Sequence, residues 1–226
     1  QKKTIGFVPT MGALHQGHAA LLKKCRKKND ISVLSIFVNP TQFGPREDYR
    51  RYPRDKKYDE MLAKKENVDI IFYPSEKEMY PSGYLTYISV RKITRVLCGR
   101  SRPGHFEGVA TIVGKLLNAV TPDVLYLGQK DAQQVAVIKQ LIRDLNWPVR
   151  VKVGPTVREA DGLAVSSRNT YLSPSERIQA LSLYQSIKHA QWLIKKGKRH
   201  PKIVISQMQR IIAQNPLAKI DYINCA

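Results

Sequence analysis

In its first 157 residues the chain alternates short β-rich runs with helical patterns, and this alternation limits the fold more than any other feature. Thr4-Ile5-Gly6-Phe7-Val8 reads as a strand, and residues 17–29 as a helix with Leu21, Leu22 and Cys25 inward and lysines outward. Residues 31–38 are a near-continuous apolar run, the pattern of a strand buried on both faces of a parallel sheet. A helix is predicted over 53–67 and a strand over 68–73. Val109, Ile112, Val113, Leu116, Leu117 and Val120 keep helical spacing. Residues 123–127 then read as a strand, 132–145 as a helix and 149–153 as a last strand. Strands that alternate with helices imply the α/β class, here a Rossmann-like doubly wound parallel sheet with helices on both faces.

Near residue 157 the pattern changes, which divides the chain into a domain of residues 1–157 and a smaller α+β domain of residues 158–226. Ser173-Pro174-Ser175-Glu176 is a capping box with proline at the first helical position, and it opens a helix predicted to reach about Lys196. A second amphipathic helix follows residues 197–201 and runs to Asn215-Pro216, and Ile220 to Ile223 reads as the start of a strand. The second domain is expected to be incomplete.

Composition narrows the function classes. No run of apolar residues is long enough for a transmembrane helix. Gln1-Lys2-Lys3 carries neither an initiator methionine nor the apolar stretch of a signal peptide, and reads as a trimmed start. Three well-separated cysteines, Cys25, Cys98 and Cys225, make neither a disulfide framework nor a zinc ribbon and suit the reducing cytoplasm. A formal charge of +20 favours polyanions. The basic residues are spread over many segments, however, with no interleaved aromatics and no nucleic-acid motif. Neither nucleic acid nor a membrane is therefore expected as partner.

The segment richest in chemistry is Pro9-Thr10-Met11-Gly12-Ala13-Leu14-His15-Gln16-Gly17-His18, between the first strand and the first helix. Doubly wound folds place their ligands there. Gly12 and Gly17 have P-loop spacing, but His18 and Ala19 stand where a P-loop has Lys and then Ser or Thr. What remains is His-X-Gly-His at the mouth of a helix. Gly17 allows close approach of a base or ribose, the helix N-terminus offers N–H groups to phosphate, and two imidazoles can donate hydrogen bonds to phosphate charge as it builds. The alternative, a zinc pair, lacks a third ligand nearby.

A second cluster, Gly128-Gln129-Lys130-Asp131, directly follows the strand at 123–127. Its glycine can accept a ribose edge, Asp131 the ribose hydroxyls and Lys130 a phosphate; the competing reading is a helix start capped by Asp131. A third, Val165-Ser166-Ser167-Arg168-Asn169, offers two hydroxyls and a guanidinium to a triphosphate, on a loop expected to close over a nucleotide. Gln42 and Gln134 carry amides, which both donate and accept and so suit a substrate with hydroxyl and carboxylate groups.

Taken together, Pro9 to His18, Phe37 to Phe43, Tyr52-Pro53-Arg54, Pro103-Gly104-His105-Phe106, Gly128 to Gln134, Pro155 to Gly162 and Ser166 to Asn169 closely resemble the pantothenate synthetase family, within the His-X-Gly-His nucleotidyltransferases. The resemblance runs in order from about Thr4 to the end of the chain. It implies an ATP site lined by Met11, Gly12, Ala13, Leu14, His15, Gln16, Gly17, His18, Gly128, Gln129, Lys130, Asp131, Val157, Val165, Ser166, Ser167 and Arg168. His18, His15, Lys130 and Arg168 would carry catalysis, with His18 as proton donor to the phosphates and His15 beside it, and Gln42 and Gln134 would hold pantoate. The reaction implied is ATP-dependent condensation of pantoate with β-alanine to pantothenate, through a pantoyl adenylate, with release of pyrophosphate and AMP. The resemblance also implies Mg²⁺ on the ATP phosphates and not on protein side chains, a homodimer, and a mobile lid at residues 44–51. The chain departs from the family pattern at Val165, where Met is usual, at Gln129, where Glu is frequent, and at Ala132, which replaces a common aromatic. Its basicity is also atypical. An adenylyltransferase that leaves AMP on its product is the nearest rival, and Gln42 and Gln134 argue against it.

Overall fold

The computed structural model describes residues 2–225, and the chain divides into two compact units, one ending at Val157 and one beginning at Arg158. In the first unit, β1 (Ile5–Thr10), β2 (Ile31–Ile36), β3 (Ile70–Phe72), β4 (Val124–Gly128) and β5 (Arg150–Gly154) form one sheet in the order β3-β2-β1-β4-β5. Every pairing is parallel, and Phe7 of β1 lies in register with Val33 of β2 and Leu125 of β4. This is the doubly wound order, and the winding reverses between β1 and β4.

The helices of this unit are α1 (Gln16–Lys28), α2 (Lys56–Lys65), the single turns α3 (Glu76–Met79) and α4 (Cys98–Ser101), α5 (His105–Val120) and α6 (Ala132–Asp144). They cover both faces of the sheet, and the period-two alternation of the strands decides which side chain meets which helix. Val8, Leu34, Val124 and Tyr126 pack with Leu22 and Cys25 of α1 and Ala63 of α2. Their neighbours Phe7, Val33, Leu125 and Leu127 point the other way, into a larger cluster with Val109 and Val113 of α5 and Ile138 and Leu141 of α6. Truncating Leu34, Leu125 or Ile138 to alanine would cost about 2–5 kcal/mol. With both faces covered, the carboxyl ends of β1 and β4 are left as the natural place for a ligand.

Boundaries differ from the sequence-based expectation where local capping decides. The helix expected from residue 53 begins at Lys56, because the Asp55 carboxylate accepts the Tyr58 N–H at 3.0 Å and fixes the cap there.

In the second unit, α7 (Pro174–Gln179), α8 (Leu181–Lys195) and α9 (Pro201–Ala213) follow a hairpin-like turn closed by an antiparallel bridge between Arg158 and Ala164. The capping box forms as expected: Ser173 Oγ accepts the Glu176 N–H at 3.3 Å and Glu176 accepts the Ser173 N–H at 2.8 Å. The single helix expected to reach about Lys196 is instead two, because the ladder tightens at Ala180, whose carbonyl accepts from Leu183 at 3.2 Å, three residues on. The strand expected over Ile220 to Ile223 does not form either. A strand needs a neighbour to pair with, and the described residues of this unit hold no strand. Among the described residues no helix is long and apolar enough to cross a membrane.

Candidate active site

The segment leaving β1 is held by side chains from three directions. Thr10 Oγ1 donates to the Ser35 carbonyl at 2.8 Å and accepts the Gly12 N–H at 3.2 Å. Gly12 adopts a left-handed φ of +78°, and a Cβ there would stand 2.8 Å from Asp59 Oδ2. The Asp59 carboxylate, buried on the inner face of α2, accepts the Ala13 N–H at 3.0 Å and the Leu14 N–H at 2.7 Å. Burial is the larger influence on this carboxyl and pushes its pKa above the usual carboxylate range. Sequence reasoning missed Asp59. Its backbone partners lie some 45 residues away, so no local pattern marks it.

The loop delivers the chain to α1, whose cap is built from the two histidines. His15 is the N-cap, and its Nδ1 accepts the Gly17 N–H at 3.1 Å; His18 Nδ1 accepts the His15 N–H at 3.3 Å. A backbone N–H can only donate, so each Nδ1 carries a lone pair and each ring proton sits on Nε2. The rings stack with centroids 4.0 Å apart. Burial, then the Lys130 charge, lowers the His15 pKa to about 4, against a smaller opposing pull from Asp131. Burial first, then His15 and Lys130, lowers that of His18 to about 3. Near neutral pH both are uncharged imidazoles with an Nε2–H to offer. The first turn of α1 contains no acidic residue, so nothing of its own neutralises the positive end of the helix.

The second cluster follows β4. Gln129, Lys130 and Asp131 form a 3₁₀ turn, and Lys130 Nζ lies 3.2 Å from Asp131 Oδ2. Asp131 makes no side-chain capping bond to α6, so its carboxylate serves the lysine and not the helix. A Cβ on Gly128 would meet no atom within 4 Å, which leaves open space beside this strand end. The electrostatic coupling of Lys130 to both imidazoles ties this cluster to the first across the point where the winding reverses.

Gln42 ends a 3₁₀ turn (Pro40–Gln42) after β2 and is buried. Its Oε1 accepts from Asn39 Nδ2 at 3.1 Å, and its Nε2 lies 3.2 Å from the Met11 sulfur, which joins it to the β1 loop. Asn39, fully buried and also missed by sequence reasoning, accepts from Tyr80 OH at 2.7 Å and from Thr41 Oγ1 at 3.0 Å. Gln134 is half-buried on α6, and among the described residues no hydrogen bond links it to Gln42 or the histidines. Its neighbour Gln133 is committed elsewhere, holding the Ile93 and Val96 carbonyls and the Cys98 N–H.

The remaining predicted residues lie in or next to the second unit. Val157 closes the first unit and is half-buried, as is Val165. Ser166 Oγ accepts the Arg168 N–H at 3.3 Å and caps the 3₁₀ turn Ser167–Tyr171, which presents Ser167 and Arg168 from one short rigid element. Upstream, Arg177 bridges Glu159 at 2.7 Å and Asp161 at 2.8 Å, fixing the turn that precedes it.

Comparison with known proteins decides the family. The model of the pantoate–beta-alanine ligase family matches residues 1–226. The chain belongs to the pantoate–β-alanine ligase family. Pantothenate synthetase of Caldicellulosiruptor saccharolyticus is 58% identical over 221 residues, covering 98% of this chain and 79% of the relative. That of Thermotoga petrophila is 56% identical over 99% of this chain and 80% of the relative. Among solved structures, pantothenate synthetase from Thermus thermophilus superposes with a TM-score of 0.94 at 45% identity, over 97% of this chain and 79% of that one. Pantoate–β-alanine ligase from Francisella tularensis, complexed with β,γ ATP and β-alanine, superposes with a TM-score of 0.83 at 41% identity, over 92% of this chain and 78% of that one. The chain is therefore a ligase with the Rossmann-like nucleotidyltransferase fold.

Proposed function

We propose that this ligase forms pantothenate by adenylating pantoate on ATP and passing the acyl group to β-alanine, with the nucleotide seated where the winding reverses between β1 and β4. The observation that carries this reading is the pair of neutral imidazoles at the N-terminus of α1, with both Nε2–H groups available and Lys130 beside them. A carboxylate is a poor electrophile, so a pantoate oxygen first attacks the α-phosphate and pyrophosphate leaves. The β-alanine amine then attacks the acyl carbon of the adenylate, and AMP leaves with the bonding pair.

Charge builds on phosphate oxygens in the first step. Two neutral N–H donors, the end of α1 and the Lys130 ammonium stabilise it without giving up a proton. His18 then acts as a hydrogen-bond donor and not as a Brønsted acid, since an imidazole with a pKa of about 3 carries no extra proton near neutrality. No covalent nucleophile is required. Cys25 could not act as one, because burial pushes its thiol up to about 12.

On this reading residues 11–18, Gly128, Gln129, Lys130, Asp131 and Val157 belong to the nucleotide, and Gln42 and Gln134 to pantoate. Val165, Ser166, Ser167 and Arg168 are assigned to the triphosphate on their chemistry. Residues 1–157 are the nucleotide and pantoate domain, and residues 158–226 and 44–51 serve as lids. Mg²⁺ would be carried by the ATP phosphates and would neutralise part of their charge. A homodimer and a cytoplasmic location complete the proposal, the latter supported by three free cysteines.

The test is AMP release from MgATP and pantoate, with and without β-alanine, for the chain and for His18→Ala. AMP should form only with β-alanine, and about a hundredfold more slowly in the variant, the scale of a lost transition-state donor. AMP formation that His18→Ala leaves intact would keep the reaction and remove the role of His18. No AMP from a full-length chain either, with tight salt-dependent binding of RNA, would sink the proposed reaction.

A further inference from the structure

The amide of Gln42 is fixed at its side chain by Asn39, but its backbone is held by a different chain of contacts that reaches outward to residues 44–51. His105, the first residue of α5 and buried, stands with Nδ1 2.8 Å from the Gln42 carbonyl. Arg102 Nη1 lies 3.2 Å from the other ring nitrogen, Nε2. A guanidinium only donates, so Nε2 accepts, the ring proton sits on Nδ1, and His105 donates to Gln42. Arg102 also forks onto Glu47: Nε reaches Oε1 at 2.9 Å, and Nη2 meets Oε2, with a further side-chain bond from Arg102 to Cys98. That bidentate bond is the first influence on the Glu47 carboxyl and holds it below the usual carboxylate range.

The four groups form one directional series: the Glu47 carboxylate orients Arg102, Arg102 sets the His105 tautomer, and His105 holds the Gln42 carbonyl. The seat is also tight. A Cβ on Gly108, one turn into α5, would stand 2.5 Å from the Thr41 carbonyl and 2.6 Å from the Gln42 nitrogen, so α5 packs directly on the backbone that presents the amide. Asn39 closes the same contact, with Nδ2 3.1 Å from the Gly108 carbonyl. Residues 43–51 and Pro40 line a hollow of about 600 Å³, and Glu47 is one of its lining residues.

We propose that Glu47, Arg102 and His105 are positioning residues which couple the seating of residues 44–51 to the affinity of the Gln42 site for pantoate, an inference that rests on the assignment of Gln42 to pantoate. When the segment is seated, the Glu47 end of the series is made and Gln42 is locked; when it lifts, Arg102 loses its bidentate partner and the Gln42 backbone loosens. The donors of the nucleotide site belong to other elements and are not part of the series.

The experiment is a thermodynamic cycle read on the KM values for pantoate and for ATP. His105→Phe should raise the pantoate KM about tenfold, as loss of a buried hydrogen bond does, and leave the ATP KM within about twofold. His105→Asn keeps an N–H where Nδ1 stood and should recover most of that loss. Glu47→Gln should raise the pantoate KM about threefold alone and add nothing in the His105→Phe background, because the signal has already been cut. If His105→Phe does not fold, Arg102→Gln replaces it in the cycle. Multiplicative effects of Glu47→Gln and His105→Phe, or an ATP KM that rises in step with that of pantoate, would overturn the coupling. Gln42→Met separates the two levels. If it raises the pantoate KM while His105→Phe does not, only the series falls; if it leaves the pantoate KM unchanged, the assignment of Gln42 falls and takes the series with it.

Discussion

The carboxyl ends of β1 and β4 flank the same reversal of winding, yet they are built in opposite ways. After β1, every turn of the backbone is tied: Thr10 holds Gly12, Asp59 holds Ala13 and Leu14, His15 holds Gly17, and His18 holds His15. After β4 the side chains are exposed, and Lys130 and Asp131 hold each other. The first end is a preformed cradle whose donors are fixed before a ligand arrives. The second is an exposed charge paired with its own counter-ion, which on the proposed reading exchanges Asp131 for a phosphate. Preorganised donors supply transition-state stabilisation at no cost of reorganisation, and a mobile ammonium can follow phosphate charge as it shifts.

The largest effect expected of breaking this contrast comes from His18, where each ring nitrogen has its own task. His18→Asn keeps an acceptor near the Nδ1 position, and so the cap, but removes the Nε2–H. His18→Gln does the reverse. AMP formation should therefore fall about a hundredfold in His18→Asn with little change in melting temperature. In His18→Gln it should stay within about tenfold of the parent while stability drops by about 1 kcal/mol, the worth of a cap. A His18→Asn variant that keeps the parent rate, with a His18→Gln rate as low or lower, would mean that the cap, and not the outward donor, is what His18 contributes.

Stability distinguishes the two ends next. Asp59→Ala strands two N–H groups of the β1 loop and should cost about 2–4 kcal/mol, read as a lower midpoint in thermal or urea unfolding. Asp131→Ala removes an exposed partner and should cost under about 1 kcal/mol. If the two variants unfold alike, the β1 loop is not a preformed element.

The parts of this molecule that were legible in the sequence are those whose signals are local. The inner strands β1, β2 and β4 show as largely apolar runs because they are buried on both faces, whereas β5 at the sheet edge alternates exposed Arg150 and Lys152 with half-buried Val151 and Val153. His15 and His18 show at the mouth of α1 because Gly17 and the preceding strand lie within a few residues of them. Asp59 was invisible for the opposite reason: its partners, Ala13 and Leu14, lie some 45 residues away in sequence. The same holds for His105, whose bond to the Gln42 carbonyl spans 63 residues. The break at Ala180 carries no glycine or proline to announce it, and the apolar pattern at Ile220 to Ile223 promised a strand that no neighbour completes. What the sequence hides is thus mostly the polar scaffolding, since a buried polar group is chosen by a distant partner and not by its neighbours.

The finest test of the contrast is electrostatic. The imidazoles of His15 and His18 are held at about 4 and about 3, below an ordinary value of 6.5, by burial first, with Lys130 contributing across the gap between the strand ends. Because the folded chain refuses protons that the unfolded chain accepts from pH 6.5 downward, this source of stability is whole above pH 6.5 and is lost as the pH falls towards those two values. Lys130→Gln removes the cation but not the burial. Both imidazoles should then take up their protons at higher pH than in the parent and still below the ordinary histidine value, and acid should cost the variant less stability over that range. Titration of the ring C–H resonances by NMR follows each histidine directly. Midpoints that do not move on Lys130→Gln would mean that the β4 lysine does not reach over the β1 histidines. The two strand ends would then be separate sites, and not the fixed and exposed halves of one.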